Sequence, residues 1–445
     1  MTISTRPPSP VSGARASVAV EALQVVNWLS RILRRGSGTV AGGRVGLAID
    51  PGLLGTLARH KRIALVSGTN GKTTTTRMLV AALSDGGDEP VAFNGTGANM
   101  PAGHVSALVG SPSTGAAVLE VDEGYLGAVI DATSPRVVVL LNLSRDQLDR
   151  IAEVRMLVDR WRAALGALTV SSDGDGPPTV VVANADDPMV AWAAVAAPTV
   201  RWVGAGQVWQ HDAVGCPACG GRIVFDQTGA WACDRCDFAR PARHAWLEGS
   251  MLVLADGSRH PVAIGLPGQF NRANAAMAAM AAPFMLDTDR GAPPGVADLM
   301  DRVGSVHQVA GRFSSIDRHG HTVRLLLAKN PAGWTAIFDL LDEAGPRASP
   351  VVLSINARIA DGFDPSWLWD VPFERLAGNP VVVTGDRRLD LAVRLHYAEV
   401  AHTVVDDPVA AVDRAVEMCR PADAGVPSID FVGNYTAFAD LRGRL

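Results

Sequence analysis

The chain has 445 residues, of which 48% are hydrophobic and 19% are charged, values typical of a soluble globular protein with two or three domains. Its formal net charge of −5 offers no reason to expect nucleic acid or an anionic membrane surface as a partner. No apolar run is long enough to span a bilayer, and the Pro- and Ser-rich start lacks the apolar region of a secretory signal. We therefore expect a cytoplasmic protein without a transmembrane segment.

The N-terminal part of the chain predicts one helix before the first strand. Residues 1–17 are expected to be disordered because they are rich in Pro, Ser and Thr. Residues 18–34 have apolar positions at helical spacing and predict a helix. The Gly-rich stretch 36–46 then predicts a connector.

From Arg62 onward the pattern is that of an α/β protein. Short β-branched runs alternate with helical or loop stretches, namely IALVS, AAVLEV, RVVVLLNL and TVVVAN. Runs that are apolar on both faces predict buried strands of a parallel sheet. After residue 262 the pattern resumes with a helix rich in Ala and Met, NRANAAMAAMAA.

A phosphate-binding loop is predicted where the first strand passes into a helix, in IALVSGTNGKTTTT. Such a loop surrounds an anion with backbone N–H groups, places Lys72 over the outer phosphates and leaves Thr73 to ligate Mg²⁺. Position 66 is Val where the full Walker pattern has Gly, so the match to a generic phosphate loop is incomplete. The predicted ATP-binding residues here are Gly68, Thr69, Asn70, Gly71, Lys72, Thr73 and Thr74.

Paired cysteines mark an insert over residues 210–245. The motifs CPAC and CDRC are separated by 13 residues and contribute Cys216, Cys219, Cys233 and Cys236. This spacing predicts a Cys₄ zinc ribbon with a structural role, because four thiolates leave no coordination position open. A disulfide arrangement does not suit the expected cytoplasmic compartment. The fifth cysteine, Cys419, is predicted to pack on an amphipathic helix.

A second α/β domain is predicted over residues 311–445. Four apolar runs, RLLLAK, PVVLSI, PVVVTG and SIDFVG, have helical stretches between them and predict a doubly wound sheet. The loop 357–370 follows the second of these runs, so it lies at the carboxyl end of a strand, where α/β proteins place functional groups. It contains Asp361 and Asp364 beside two tryptophans.

The loop GTNGKTTT is similar to that of the Mur ligase and folylpolyglutamate synthase superfamily. Five further segments resemble the same superfamily in the same order: LEVDEGYL, NLSRDQLDR, NADDP, GQFNRANAAMAA and AGRFSSI. The resemblance implies a Mg²⁺-binding carboxylate at Glu120 that acts with Thr73. It also implies an adenine contact at Asn271, with Asn274 beside it, and a γ-phosphate contact at Arg312.

The same resemblance implies the domain organisation. A Mur-ligase-like ATPase domain over 18–310, carrying the zinc-ribbon insert 210–245, precedes the C-terminal domain 311–445. About 60 residues precede the phosphate loop, too few for the UDP-binding domain of muramyl ligases. Gln147 replaces a superfamily histidine that binds a second Mg²⁺, so the number of Mg²⁺ ions is left open.

Three features differ from ordinary muramyl ligases: the zinc-ribbon insert, the missing UDP-binding domain and Gln147. Together with the C-terminal segments AKNPAGW, ADGFDPSWLWD and NYTAF, they resemble the MurT family, the ligase-like subunits of lipid II isoglutaminyl synthase. The resemblance implies ATP-dependent amidation of the α-carboxylate of D-glutamate in the lipid II stem peptide, through an acyl phosphate attacked by ammonia. The product is D-isoglutamine, formed at the inner face of the cell membrane. Lys329 and Asn330, in AKNPAGW, are expected to face the ATP site across the interdomain cleft.

The resemblance also implies a partner, a GatD-like class I glutamine amidotransferase subunit that forms a heterodimer with this chain and releases ammonia from glutamine. The resemblance further implies that such a partner takes the acidic member of its Cys-His-acid triad from the ligase subunit. Asp361 is the first candidate for that acid and Asp364 the second. A class I glutaminase needs a cysteine on a glycine-flanked turn, and Cys419 has a different context.

Two other functions are compatible with parts of the sequence. A stand-alone ligase that adds an amino acid, as in folylpolyglutamate synthase, is disfavoured by the zinc insert and by Gln147. A non-catalytic nucleotide-binding or zinc-ribbon scaffold is disfavoured by the ordered series of phosphate, Mg²⁺ and adenine segments.

Overall fold

The computed structural model describes residues 13–32, 39–84, 90–95, 97–111, 113–145, 154–168, 177–206, 209–286, 294–307, 313–343, 349–419 and 428–445. No helix in these ranges is both long enough and apolar enough to cross a membrane.

Three helices precede the first strand: α1 (Ala14–Ile32), α2 (Thr39–Ile49) and α3 (Leu53–Ala58). The predicted start of the first helix was wrong, because α1 begins at Ala14, inside the segment expected to be disordered. Ala16 and Ala19 are buried, so small side chains with high helix propensity continue the packed face of α1 toward its N-terminus.

The central α/β unit follows in regular alternation. Its elements are β1 (Arg62–Ser67), α4 (Lys72–Leu83), β2 (Ala92–Phe93), α5 (Pro101–Gly110), β3 (Ala116–Glu120), α6 (Leu126–Thr133), β4 (Val137–Leu140), α7 (Val154–Gly166), β5 (Val180–Asn184), α8 (Pro188–Ala194) and β6 (Val200–Gly204). The four predicted apolar runs form β1, β3, β4 and β5, which are adjacent and parallel. Their residues are almost entirely buried, as expected for strands with helices on both faces.

From Thr39 onward, the expected glycine connector is a helix, α2. A Cβ atom on Gly42 would lie 2.2 Å from Oδ1 of Asn27, and a Cβ atom on Gly43 would lie 1.9 Å from the carbonyl oxygen of Ala102. These two glycines therefore allow α2 to pack tightly between α1 and α5. The sequence alone does not show whether a glycine serves such close packing or gives the backbone flexibility.

The zinc-ribbon insert and a β-hairpin extension complete the central sheet. The remaining elements are β7 (Ile223–Phe225), β8 (Trp231–Cys233), β9 (Ala245–Glu248), β10 (Met251–Leu254), β11 (Arg259–Pro261), α9 (Gln269–Ala281) and α10 (Val296–Gly304). Strands β7 and β8 form a separate two-stranded sheet, whereas the large sheet has the order β11-β10-β9-β6-β5-β4-β1-β3-β2. The insert therefore lies between two neighbouring strands of the sheet and does not interrupt it.

The C-terminal part forms a second sheet with helices on both faces. Its elements are β12 (Phe313–Arg318), β13 (His321–Leu327), α11 (Pro331–Glu343), β14 (Val351–Ser354), β15 (Val381–Thr384), α12 (Arg388–Tyr397), β16 (His402–Val404), α13 (Pro408–Met418), β17 (Ser428–Gly433) and α14 (Tyr435–Arg444). The order is β12-β13-β17-β14-β15-β16, with only β12 antiparallel to its neighbour. Separate buried clusters, one around Trp334 and Phe373 and one around Phe431 and Phe438, cover the two faces. The predicted α/β architecture of this region is confirmed.

Candidate active site

The phosphate loop lies between β1 and the first turn of α4. Gly68 and Gly71 have positive φ values of 146° and 88°, a conformation that other residues rarely adopt. A Cβ atom on Gly71 would also lie 2.4 Å from Oδ1 of Asn274, so only glycine fits there. The start of an α-helix favours an anion, because its first N–H groups make no hydrogen bonds within the helix and the positive end of the helix dipole lies there.

Lys72 is buried at the base of this loop and paired with an acid. Its Nζ atom donates to the carbonyl oxygen of Gly68 at 2.6 Å and lies 3.0 Å from Oε2 of Glu123. Both side chains of this pair are largely shielded from solvent. The ammonium group is therefore held next to the loop that would carry the phosphates, and Glu123 neutralises it there.

Glu120 and Thr73 meet beside this lysine. The hydroxyl of Thr73 donates to Oε2 of Glu120 at 2.8 Å, and both residues are buried. A hydroxyl and a carboxylate oxygen at the same point form a donor set suited to Mg²⁺, which prefers hard oxygen ligands and also uses phosphate oxygens. The two residues predicted to hold Mg²⁺ are thus brought together.

The backbone of Glu120 is fixed by two side chains that sequence reasoning missed. Asn94 accepts from the Glu120 N–H at 2.8 Å and donates to its carbonyl oxygen at 2.9 Å. His104 donates to the same carbonyl oxygen from Nε2 at 2.8 Å. Burial lowers the pKa of His104 to about 4, so the imidazole is neutral at neutral pH. The segment FNGTGANM, rich in Gly and Asn after a strand, was the available signal.

The segments NLSRDQLDR and NADDP hold the phosphate loop in place. The side chain of Asn142 accepts from the Asn70 N–H at 2.9 Å and donates to the Asn70 carbonyl oxygen at 3.0 Å. Thr69 donates its hydroxyl to the carbonyl oxygen of Ser144 at 3.0 Å. Asp187 accepts from the Leu143 N–H at 2.9 Å. The conformation of the loop therefore depends on residues that follow two other strands, β4 and β5.

A cleft with a volume of about 1250 Å³, counting space open to solvent, adjoins the loop. Asn271 and Asn274, the residues predicted to lie near adenine, line it from α9, and both are buried. Their contact with adenine stays a prediction. The Asn271 side chain donates to the carbonyl oxygen of Pro267 at 2.6 Å. Apolar side chains dominate the rest of the lining, including Leu141, Leu266, Phe270, Leu326, Ile337 and Leu340. An apolar cleft lined by a few amides suits a purine ring.

The C-terminal domain forms the other wall of this cleft. Asn330, which is fully buried, exchanges two hydrogen bonds with the side chain of Asn70, at 3.2 Å and 3.3 Å. It also accepts from the N–H of Gly333 in the first turn of α11. Lys329, the neighbouring residue, is partly buried. The AKNPAGW segment therefore reaches the phosphate loop across the interdomain cleft.

Two predicted positions lie outside the described residues. Arg312, the candidate for the γ-phosphate, falls in the range 308–312, and Gln147, which replaces the superfamily histidine, falls in the range 146–153. Their predicted roles stay predictions.

The loop 357–370 presents its two candidate acids differently. Asp361 is buried, and its carboxylate accepts from the N–H of Thr436 at 2.9 Å and from the hydroxyl of the same residue. Asp364 is exposed and accepts from the N–H of Ser366 at 2.8 Å. Hydrogen bonds from the Ser366 backbone and side chain lower the pKa of Asp364, so this carboxyl is ionised at neutral pH. The polar contacts of both acids lie within the C-terminal domain, away from Lys72.

The four ribbon cysteines converge on one point. Their sulfur atoms all lie within 4.8 Å of one another, with 3.8 Å between Cys216 and Cys236 and 3.5 Å between Cys219 and Cys233. Tetrahedral Zn²⁺ with Zn–S bonds of about 2.3 Å separates its sulfurs by about 3.8 Å. Backbone N–H groups of Gly221 and Arg235 point at two of the sulfurs, an arrangement that stabilises thiolates. The donor set therefore fits Zn²⁺.

The ribbon is attached to the rim of the nucleotide cleft. Trp231 donates from its indole nitrogen to the carbonyl oxygen of Ala185 at 3.0 Å, and Arg240 lies 3.1 Å from Asp186. Asp186 in turn accepts from the N–H of Gly206, which lines the cleft. Unfolding of the ribbon would therefore release one side of the cleft.

We expect purified protein to contain about one zinc ion per chain, and Cys233→Ser to lose it. A loss of a few kcal/mol should lower the unfolding temperature by roughly 5–10 °C in a domain of this size. Metal analysis and calorimetry measure the two effects. Cys419→Ser is the matched control, since this thiol lies in another domain and donates to the Ala415 carbonyl oxygen. A metal-free protein with unchanged thermal stability would contradict the zinc assignment.

Two protein families match separate parts of this sequence. Residues 66–217 match the Mur ligase middle domain, and residues 327–438 match the family described as MurT ligase C-terminal. The first match contains the phosphate loop and Glu120, and the second contains Asn330 and both candidate acids.

Similar proteins match nearly the whole length of this chain. The MurT subunit of lipid II isoglutaminyl synthase (glutamine-hydrolyzing) from Staphylococcus aureus is 30% identical over 94% of this chain and 96% of its own length. The subunit of the same name from Streptococcus pneumoniae is 29% identical over 81% of this chain and 83% of its own length. A solved pseudomurein peptide ligase type C from Methanothermus fervidus has a TM-score of 0.61 at 19% identity, covering 86% of this chain and 79% of that one. This last likeness supports the fold.

Proposed function

The chain belongs to the MurT family, and from this premise we propose that it is the ATP-dependent ligase subunit of a glutamine-hydrolysing lipid II isoglutaminyl synthase. Its substrate is the α-carboxylate of the D-glutamyl residue in the lipid II stem peptide, and its product is the D-isoglutaminyl form. The observation that carries this proposal is the interdomain cleft, where Asn330 of the second domain bonds to the phosphate loop that leads into Thr73 and its partner Glu120.

The reaction has two chemical steps. A carboxylate oxygen of the substrate attacks the γ-phosphorus of ATP, the bond to ADP breaks, and an acyl phosphate forms. Ammonia then attacks the acyl carbon, phosphate leaves with the bonding electron pair, and one proton is lost to give the amide. Lys72, at the base of the loop, offsets the negative charge on the transferring phosphoryl group.

Thr73 and Glu120 would hold Mg²⁺, which supplies further charge neutralisation to the phosphate oxygens. Asn94 and His104 keep the Glu120 backbone in position for that role. Asn330 links the second domain to the phosphate loop, because its side chain forms hydrogen bonds with that of Asn70. We propose that Lys329, beside it, faces the bound nucleotide or the acyl phosphate.

A glutaminase subunit supplies the ammonia in this proposal, and we assign it to the GatD-like class I type. The C-terminal domain offers a surface for it, where Phe363 and Trp369 of the loop and Tyr397 of α12 are exposed. The rings of Trp369 and Tyr397 contact each other at 5.4 Å between centroids. Exposed aromatic residues beside the candidate acids are typical of a protein interface. Because ATP is an intracellular substrate and lipid II is membrane-bound, we place the reaction at the cytoplasmic face of the membrane.

The decisive experiment compares nitrogen donors with lipid II as substrate. With ATP and ammonium, we expect release of ADP and phosphate only when lipid II is present, together with a product lighter by the exchange of a hydroxyl for an amino group. Hydroxylamine in place of ammonium should trap the acyl phosphate as a hydroxamate. Equal use of an amino acid as donor would indicate a stand-alone ligase. Absence of substrate-dependent ATP hydrolysis would indicate a non-catalytic scaffold.

A further inference from the structure

Helix α1 carries a stripe of large apolar side chains on its solvent side. We define the α1 stripe as Val18, Val25, Trp28, Leu29 and Ile32, whose side chains are 43% to 57% exposed. Their spacing of seven, ten, eleven and fourteen residues from Val18 keeps them on one face of the helix. Single exposed apolar residues are ordinary on a protein surface, but five aligned along one helix form an apolar face, which the exposed Glu21 interrupts between Val18 and Val25.

The opposite face of α1 is firmly packed, so the stripe does not result from a loose helix. Ala16, Ala19 and Leu23 are buried in the core that also contains the central strands. The side chain of Asn27 lies against Gly42 of α2, at the point where a Cβ atom would clash. α1 is therefore held with its second apolar face turned outward.

The sequence segment that contains the stripe has a net charge opposite in sign to that of the whole protein. Residues 1–61 contain eight of the 40 basic and two of the 45 acidic residues, so this segment has a net charge of +6 and the remainder −11. Among the described residues of α1 and α2, Arg15, Arg31 and Arg44 are exposed, and Glu21 is the one acidic side chain. The overall charge of −5 conceals this asymmetry.

We propose that the α1 stripe docks on the surface of an anionic phospholipid membrane. An amphipathic helix with Trp and branched aliphatic residues on one face and arginines around it lies in the headgroup region, where both groups are satisfied. Each arginine close to an anionic leaflet contributes roughly a fivefold increase in affinity. An interface with another protein does not require this excess of positive charge, so the membrane is the occupant that the observations favour.

Docking at this face would bring the ligase site to the bilayer. α1 packs on α2, the hydroxyl of Ser106 in α5 donates to the carbonyl oxygen of Thr39 at the start of α2, and His104 of α5 contacts Glu120. A short series of packed helices thus connects the stripe to the carboxylate of the metal site. This inference deepens the proposed function, on which it rests: a lipid-linked substrate is presented at the same surface to which the enzyme binds.

Vesicle co-sedimentation of the full chain with its glutaminase subunit tests the proposal. Vesicles of phosphatidylcholine mixed with phosphatidylglycerol should bind the complex, and pure phosphatidylcholine or added salt should weaken binding. Val18→Ser/Val25→Ser and Trp28→Ser should each weaken binding at least about tenfold, since apolar area leaves the bilayer. The matched control is Val195→Ser/Val224→Ser, at positions that are 54% and 50% exposed elsewhere. This control should bind like the unaltered protein.

Activity separates this inference from the proposed function. Against lipid II embedded in vesicles, the stripe variants should lose at least about tenfold in rate, and against a water-soluble D-glutamyl peptide they should match the unaltered protein. Failure of the unaltered complex to bind anionic vesicles, or equal binding by the stripe variants, overturns the inference and leaves the ligase function standing. A change in oligomeric state or lost capture of the glutaminase subunit, without a change in vesicle binding, would instead make the stripe a protein interface.

Discussion

Lys72→Ala is expected to lower the rate of ATP-dependent amidation by about 10²–10³ or more, even at saturating ammonium. The buried ammonium group lies at the phosphate loop and is paired with Glu123 at 3.0 Å. In the proposed function, its removal eliminates the positive charge that offsets the transferring phosphoryl group. It also leaves the Glu123 carboxylate without this partner near a polyanionic substrate, so the electrostatic penalty should exceed the loss of one hydrogen bond. Phosphate release and amide formation under single-turnover conditions measure the effect.

Lys61→Ala is the matched control for this variant. Lys61 donates to the carbonyl oxygen of Thr114 at 2.5 Å at the opposite end of the strand that carries the phosphate loop. Its loss should therefore leave the amidation rate within about twofold, as for most substitutions outside a site. Lys72→Met, which keeps most of the side-chain volume, separates loss of charge from loss of packing. Normal amidation by both Lys72 variants would remove the phosphate assignment, whereas inactivity with a large fall in unfolding temperature would indicate a folding defect.

The sequence predicted those features that depend on short segments. β1, β3, β4 and β5 were predicted from apolar runs of four to six residues, because a strand buried on both faces has no polar positions to obscure it. The cysteine cluster was predicted because two CxxC knuckles already fix most of its geometry. The phosphate loop was predicted in spite of Val66, because the strand-to-helix context accompanied the glycines.

Features that depend on distant contacts could not be predicted in the same way. The pair formed by Lys72 and Glu123 joins residues 51 positions apart, and the pair formed by Asn70 and Asn330 spans 260 positions. A local sequence pattern does not indicate which acidic side chain pairs with which basic side chain after folding. The glycines of α2 were misinterpreted for a related reason, since Gly43 makes room for the carbonyl oxygen of Ala102, more than 50 residues away.

The two candidate acids of the loop 357–370 illustrate the limit most clearly. Asp361 was preferred from the sequence because it precedes a glycine, but its carboxylate is buried against the N-terminus of α14 and accepts two hydrogen bonds from Thr436. A carboxylate at the start of a helix is stabilising, which accounts for this position without a partner. Asp364 is exposed and ionised beside exposed Phe363. We therefore propose Asp364 as the acid that completes the triad of the glutaminase subunit.

Asp364→Asn is expected to lower glutamine-dependent amidation by the assembled complex by about 10³–10⁴, because an amide neither orients the partner's histidine correctly nor stabilises its protonated form. Amidation with free ammonium should stay within about twofold, since the ligase site keeps all its groups. Asp361→Asn should lower the unfolding temperature and both activities by similar factors, because it weakens the attachment of α14.

Asp370→Asn is the control from the same loop, an exposed acid 3.3 Å from Arg145, and should retain both activities. Selective loss of glutamine use in Asp361→Asn would show that Asp361 completes the triad. Its carboxylate would then have to break its hydrogen bonds with Thr436 when the complex assembles. If neither variant loses glutamine use, the loop does not supply the acid.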